Sequence, residues 1–207
     1  MGNTFGRRVQ SFGGGHEIYR SVTENLAFGA VVDRYPASLP YVIHGGTPMM
    51  FVGDGTAKIL NFYRVIEEAA IDAVTVKVLK SDAIATPVVG WAIMEAPAAL
   101  AGSGLGVTIT AVVDNDTYYT LTLSATLGAV LAVNDMLCDA ASAGADVDAY
   151  CVPSTLTRRD VFLQEGDTHA TITGVAIATV FANRIPFYPV LMEAVSGCKS
   201  IIFEKNV

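Results

Sequence analysis

The stretch that decides the fold covers residues 106–138 and reads GVTITAVVDNDTYYTLTLSATLGAVLAVNDMLC. Apolar residues alternate with threonines in the run 107–113, and a second alternating run covers residues 118–123. A side-chain period of two is typical of a half-buried β-strand. The turn-forming sequence Asp-Asn-Asp at 114–116 separates the two runs, so the sequence predicts a β-hairpin at the centre of a β-rich core.

Two short segments on either side of the hairpin resemble each other. Residues 87–94 (PVVGWAIM) and 131–138 (LAVNDMLC) each have an apolar lead-in, a small turn residue and a return to strand pattern. A strand, a long hairpin and a returning strand are a common way to build a small barrel. We therefore predict a mainly β fold with little helix, a small β-barrel or sandwich built around the central hairpin.

The chain divides into an arm and a body. Residues 1–25 are predicted to be an extended N-terminal arm, because the glycines at 13–15 cannot hold a helix. Its spaced apolar residues would order against a partner surface or against its own domain. Residues 26–207 are predicted to form a β-rich domain, or two packed subdomains at 26–80 and 81–207.

Other segments carry weaker patterns. Residues 58–70 fit a helical spacing and an alternating one, and their strongly β surroundings favour a strand. Small residues predict a loop at 140–148, and residues 190–195 are compatible with one helical turn. The remaining predicted strands are 26–32, 49–52, 74–79, 150–153, 168–182 and 200–204.

The composition is apolar and poor in charge. Of the 207 residues, 52% are hydrophobic and 16% are charged, whereas about 25% charged is usual. Such a chain can bury a substantial core, which excludes wholesale disorder. The surplus apolar surface is expected in contacts between subunits or lattice neighbours, unless an alanine-rich composition alone accounts for it.

The charge is acidic and unevenly distributed. A net charge of −7 argues against nucleic acid as a partner. Residues 1–20 hold Arg7, Arg8 and Arg20 against Glu17, so they carry +2 and the rest of the chain carries −9. A positive N-terminal segment on an acidic chain indicates either docking onto an acidic surface or a solvated arm.

The three cysteines, Cys138, Cys151 and Cys198, indicate free thiols rather than a disulfide framework. Their number is odd and no pair has CxxC spacing. This pattern predicts buried thiols and synthesis in a reducing compartment.

Neither a signal peptide nor a membrane partner is expected. The N-terminus has no apolar run. The most apolar stretch, residues 83–102, is interrupted by Pro87, Glu95 and Pro97, which a membrane span would not tolerate.

No motif can be assigned to catalysis or to ligand binding. His16, His44 and His169 lack the spacing of metal ligands. Residues 114–116 fit a hairpin corner better than a calcium loop, which needs further oxygen ligands and a glycine at set positions. Residues 102–106 do not complete a phosphate-binding loop. We therefore predict no catalytic residue, no cofactor and no metal.

From residue 74 onward the chain resembles tailed-bacteriophage proteins described as head fibre or capsid decoration proteins. A Gly-Thr-Pro turn at 46–48 is also similar. Where that family shows Gly-Asp in its turns, this chain has Gly90-Trp91 and Asn134-Asp135. The segments that carry the resemblance are the strand 74–79, the turn 87–90, the hairpin 108–123, and residues 131–137, 150–153 and 199–203.

The resemblance implies a non-enzymatic virion protein, made in the bacterial host cytoplasm and located on the outer capsid surface. Its expected partners are the major capsid protein and further copies of itself in a homotrimer. The arm would lie along the capsid or a sister subunit. Its contact residues would be Phe5, Arg7, Arg8, Phe12 and Tyr19, with the arginines paired to carboxylates.

Two other functions fit the sequence. A host-adhesion or glycan-binding β module would use Trp91, Tyr118 and Tyr119 for stacking on sugars, although aromatic residues in strands more often serve packing. A shell-forming capsid subunit is the third reading, and the short chain argues against it.

Overall fold

The computed structural model describes residues 18–26, 29–34, 36, 40–81, 84–165, 167, 169–185 and 200–204. Within these residues the chain is almost wholly β, with a single turn of 3₁₀ helix at Ala182–Arg184. The predicted mainly β fold is confirmed. The strands are β1 (Tyr19–Asn25), β2 (Ala30–Val32), β3 (Tyr41–Ile43), β4 (Pro48–Phe51), β5 (Thr56–Ile59), β6 (Phe62–Arg64), β7 (Thr75–Leu79), β8 (Ala92–Glu95), β9 (Ser103–Asp114), β10 (Tyr118–Leu123), β11 (Met136–Asp139), β12 (Gly144–Asp148), β13 (Thr155–Leu156), β14 (Val161–Leu163), β15 (Thr171–Ile172), β16 (Val175–Phe181) and β17 (Ser200–Glu204).

The largest sheet curls into a half-barrel. Its strand order is β6-β11-β8-β9-β10-β7, and β12 pairs with the start of β9. A bridge between Val65 and Val78 links the two edges of this sheet. Alternate residues of each strand point inward, as the period of two requires. The inward side chains are Tyr63, Val65, Val76, Val78, Ile93, Val107, Ile109, Tyr119, Leu121, Leu123 and Leu137.

The hairpin predicted from the sequence is present as β9 and β10, paired antiparallel. β9 lies between β8 and β10, and β10 also pairs with β7. The hairpin therefore supplies two adjacent strands of the half-barrel, which confirms its predicted place in the fold.

The two segments that resemble each other in sequence form equivalent turns. In the first, the Trp91 N–H donates to the Val88 carbonyl, and the Gly90 N–H and Trp91 carbonyl both bond to Ile109. In the second, the Asp135 N–H donates to the Ala132 carbonyl.

The second turn makes the same pair of strand contacts. The Asn134 N–H and the Asp135 carbonyl both bond to Val65. The third residue of each turn has a positive φ, 91° at Gly90 and 77° at Asn134, as a type II turn requires. The strands that follow, β8 and β11, are antiparallel neighbours.

The described residues form three smaller sheets as well. One has the order β13-β4-β5-β2-β15, one pairs β14 with β3, and one has the order β1-β16-β17. The outward side chains of β6, β8 and β11 pack in one cluster with side chains of β16 and β17. β11 is therefore buried along its whole length and on both faces.

One segment differs from its prediction because its partner is remote in sequence. The predicted loop 140–148 ends in β12, which pairs with the start of β9. Small residues and aspartates give little strand propensity, but the long β9 offers a free edge. A Cβ on Gly106 would lie 2.2 Å from the Ser142 carbonyl oxygen, so the close approach needs glycine there.

Other boundaries also shift. The predicted strand 150–153 is irregular, and β13 begins only at Thr155. The predicted strand 168–182 is split into β15 and β16, because β15 pairs with β2 while β16 pairs with β1. The strand reading of 58–70 is confirmed in part, since β5 and β6 include residues 58–59 and 62–64, and β17 confirms the terminal strand. Residues 190–195 lie outside the described residues.

The predicted domain boundaries do not coincide with the sheets. The last seven residues of the predicted arm 1–25 form β1, which pairs with β16 of the body. β6 and β7 precede residue 80, yet they share one sheet with β8 to β12. The described parts of 26–80 and 81–207 are thus joined by common strand pairing.

Candidate functional site

The structure describes one of the five predicted contact residues. Tyr19 begins β1, and its hydroxyl donates to the carbonyl oxygen of Thr157. Burial raises the pKa of Tyr19 above its ordinary value. The side chain is therefore an anchor within its own chain. Phe5, Arg7, Arg8 and Phe12 lie outside the described residues.

Tyr19 reaches the Gly-Thr-Pro turn that the sequence singled out. The Gly46 N–H donates to the same Thr157 carbonyl at 2.8 Å, and the Thr47 N–H donates to the Thr157 hydroxyl at 2.9 Å. Gly46 has a φ of 81°, and a Cβ there would lie 2.9 Å from the Ile18 side chain. The turn therefore packs closely against Ile18, the first residue that the structure describes.

A buried ion pair lies at the end of β11. Asp139 is fully buried, and its Oδ2 accepts from the guanidinium of Arg34. The same oxygen accepts from the Asn61 side-chain amide at 2.8 Å, and Oδ1 accepts from the Tyr63 hydroxyl at 3.2 Å. The carboxylate is thus surrounded by donors, as a buried charge requires.

Arg34 is held between two aromatic rings. Its guanidinium carbon lies 3.8 Å from the centre of the Trp91 ring and 3.6 Å from that of Tyr150. The Tyr150 hydroxyl donates to Asp33 at 2.7 Å. A planar guanidinium suits this stacked arrangement, which an ammonium group would not reproduce. We call Arg34, Asn61, Tyr63, Trp91, Asp139 and Tyr150 the buried junction.

The electrostatics of the buried junction follow from its burial. Desolvation raises the pKa of Asp139, while Arg34, Asn61 and Tyr63 oppose that rise. Burial, and then the Asp139 carboxylate, raise the pKa values of Tyr63 and Tyr41. These hydroxyls stay protonated at neutral pH and can donate. The Arg34 side chain is only 17% exposed, so it is largely buried between the Trp91 and Tyr150 rings.

The described thiols confirm the prediction of free, buried cysteines. Cys138 and Cys151 are both free and buried. Burial raises the pKa of Cys138, and it raises that of Cys151 to about 12, with a further contribution from Asp139. Such thiols carry almost no thiolate at neutral pH, so they are poor nucleophiles. Cys198 lies outside the described residues.

The aromatic residues considered for sugar stacking have separate surroundings. Tyr119 points into the half-barrel, Tyr118 lies near Lys77, and Trp91 covers Arg34. At the hairpin tip, the Asn115 N–H donates to the Tyr118 carbonyl at 2.9 Å. These residues therefore form no common platform.

Among the described residues, no three His, Cys, Asp or Glu side chains are grouped as a metal site. In that same part of the chain, no helix is long and apolar enough to cross a bilayer.

An open groove crosses the β1-β16-β17 sheet where Arg20 pairs with Glu204. Its other lining residues are Ser21, Thr179, Ile202 and Phe203.

The outer surface carries many large apolar side chains. They occur on several strands and turns, and each is more than a third exposed. Where they are contiguous, such side chains mark binding surfaces for other proteins. They are Val31, Val52, Ile71, Val74, Val89, Leu105, Val113, Val130, Val133, Val152, Phe162 and Ile202.

Comparisons of the chain with models of protein families, with curated proteins and with solved structures find no match. Function is therefore inferred from the surfaces and contacts described above, together with the resemblance noted in the sequence.

Proposed function

We propose that this protein is a non-enzymatic virion structural protein on the outer surface of a tailed-phage capsid, as a decoration protein or as part of a head fibre. The observation that carries the proposal is the apolar outer surface. Large exposed side chains such as Phe162 and Val130, at 65% and 57% exposure, occur on a chain with only 16% charged residues. The resemblance to head fibre and decoration proteins supplies the kind of partner.

The proposed action is mechanical. Residues before Ile18 would lie along the major capsid protein or a sister subunit, with Phe5 and Phe12 in apolar contacts and Arg7 and Arg8 against carboxylates. The bond from Tyr19 to Thr157 supports this proposal, because it anchors the base of the arm in the body. A load on the arm would pass into the β1-β16-β17 sheet.

Copies of the chain would associate as a homotrimer, in which part of the exposed apolar surface is buried. A standard specific interface buries about 800 Å² on each partner. Twelve exposed large apolar side chains among the described residues are compatible with contacts to both a sister copy and the capsid. Each further contact across capsomers would oppose expansion of the shell.

The test is binding to undecorated particles of the phage that encodes this chain. Full-length protein and a variant lacking residues 1–16 are added, and occupancy is measured by cryo-electron microscopy. This truncation keeps Ile18 and Tyr19, so the anchored base remains intact. We expect the full chain to bind outside the shell and the truncated chain to lose occupancy.

Two outcomes would contradict the proposal. Full-length protein that leaves the particles undecorated would refute the capsid function. Equal occupancy for the truncated variant would refute the role of the arm. Binding of the isolated protein to host glycans, without particle binding, would instead point to an adhesion module.

A further inference from the structure

Two segments of the half-barrel that are joined by a backbone bridge carry exposed aliphatic side chains. Ala69 and Leu131 form an antiparallel bridge, with N–H to carbonyl distances of 2.9 and 3.0 Å in the two directions. Exposed aliphatic side chains lie within five residues of this bridge on both segments. They are Ile71 at 56%, Val74 at 45%, Val130 at 57% and Val133 at 52% exposure. We call these four residues the edge patch.

Acidic residues lie close in sequence to the edge patch. Residues 66–74 read IEEAAIDAV, with three acidic residues and no basic one. Lys77 neutralises Glu67 at 2.7 Å, while Glu68 and Asp72 are exposed. Asp135 lies at the end of the second loop. Burial and then the nearby Asp135 raise the pKa of Glu95.

The N-terminal segment has the complementary chemistry. Residues 1–16 read MGNTFGRRVQSFGGGH, with two arginines and no acidic residue. They carry +2 of the net −7, so the remainder of the chain carries −9. Phe5, Val9 and Phe12 are spaced around Arg7 and Arg8. An apolar surface with an acidic rim is suited to a segment of this kind.

We propose that the edge patch binds residues 1–16 of a second copy of this chain. The aromatic residues contact the four aliphatic side chains, and Arg7 and Arg8 face Glu68 and Asp72. Every copy offers one segment and one patch, so head-to-tail exchange uses all segments and patches when the rotation between copies closes a ring, as the proposed homotrimer requires. The choice of a second copy rests on the homotrimer in the proposed function.

The first test maps the contact directly in the free protein. The full-length R7K/R8K variant keeps both charges and introduces amines that a carbodiimide can join to carboxylates without a spacer. Equal amounts of ¹⁴N- and ¹⁵N-labelled protein are dissociated in urea and reassembled together, so that each assembly contains both isotopes, and are then crosslinked and analysed by mass spectrometry. We expect links from positions 7 and 8 to Glu68 and Asp72, in peptides of mixed isotope.

Every other pattern overturns the proposal. Links confined to one isotope would place the segment on its own copy, and links to other carboxylates would place it elsewhere. The absence of links would show that the segment does not reach the patch. Since no capsid is present, failure here leaves particle binding unaffected, and failure of particle binding leaves this result unaffected.

The second test uses charge exchange and the mass of the assembly by light scattering. We expect R7E/R8E and E68K/D72K each to shift the protein towards monomer, and their combination to restore the assembly. Two matched controls change as many exposed charges elsewhere, R158E/R159E and D148K/E165K. Assemblies that respond to the controls as strongly, or that are not restored by the combination, would contradict the proposal.

Discussion

The two turn-and-strand units of the half-barrel, 88–95 and 132–139, share their backbone but differ in surroundings. Both have a turn with a left-handed third residue, the same two bonds to a neighbouring strand, and an inward apolar side chain. The first unit ends in the exposed Glu95, whereas the second ends in the fully buried Asp139. The comparison shows that the same turn and strand can end either at the protein surface or in the buried junction.

The largest difference is expected at the two terminal carboxylates. Asp139→Ala leaves the Arg34 guanidinium without its partner between two rings, and we expect a loss of about 3–5 kcal/mol in the free energy of unfolding. Glu95→Ala, at the equivalent exposed position, should stay within about 0.5 kcal/mol of the wild type. Urea denaturation measures both.

A double variant separates the lost partner from the lost charge. Arg34→Met combined with Asp139→Leu replaces the ion pair by apolar side chains, and we expect it to recover only part of the stability lost by Asp139→Ala, because the Asn61 amide and the Tyr63 hydroxyl still lose their acceptor. A double variant as unstable as the single one would show that the unpaired Arg34 charge is not the main cause of the loss.

The inward residues of the two units should respond alike. Ile93→Ala and Leu137→Ala each remove a fully buried side chain from the same core, and each is expected to cost about 2–5 kcal/mol. Thermal and urea unfolding should give similar losses for both. A loss at one position only would mean that the two strands are not equivalent inside the half-barrel.

Titration should distinguish the junction from the core. Burial holds the pKa of Asp139 above its ordinary 3.8, so the folded state favours the protonated acid. The stability gained from this preference is full below pH 3.8 and is lost as the pH rises through the folded pKa. Arg34→Met removes the opposing charge and raises this pKa further. Each added unit is worth about 1.4 kcal/mol.

We therefore expect Arg34→Met to lose more stability than the wild type between pH 4 and neutral pH. Unfolding in urea at a series of pH values measures this slope. Ile93→Ala is the control and should keep the wild-type slope. A difference in the free energy of unfolding between Arg34→Met and the wild type that does not change with pH would show that Arg34 does not affect the pKa of Asp139.

The third turn residues offer a smaller test. A Cβ on Gly90 would meet no atom within 4 Å, so Gly90→Ala should cost only the strain of a left-handed alanine, about 1–2 kcal/mol. Asn134 already adopts that conformation, and Asn134→Gly should change stability by less than about 1 kcal/mol. If Asn134→Gly destabilised the protein as much as Gly90→Ala, the left-handed backbone would not be the feature that the two turns share.

The smallest effect concerns the thiols. Because burial raises the pKa values of Cys138 and Cys151, the latter to about 12, neither should react with iodoacetamide in native protein at pH 8. Both should be labelled in guanidinium. Mass spectrometry of the peptides measures this labelling. Rapid labelling of either cysteine in native protein would mean that the apolar cluster between β11 and β16 opens.

Much of this fold was readable because its signals are local. The hairpin, the two equivalent turns and β17 depend on alternation and turn residues within a few positions. β12 was missed because its strand character comes from the free edge of β9, about forty residues earlier. Pairing with an available edge can override weak local propensity.

The buried junction was missed for a related reason. Asp139 directly follows three apolar residues, and a charge in such a run indicates a buried pair. That signal could have marked the residue, but not its partner, because Arg34 precedes it by 105 residues. Tyr19 was predicted to contact the capsid or a sister subunit, and the structure shows its hydroxyl donating to Thr157 of its own chain.

The central position of β11 has a consequence for synthesis. β6 and β8 each pair with β11, so one edge of each strand has no partner until residues 136–139 leave the ribosome. Chains stalled before that point expose apolar strand edges, which are prone to join other chains. Because these pairings span long sequence separations, folding is expected to be slow and to depend on the late arrival of four residues.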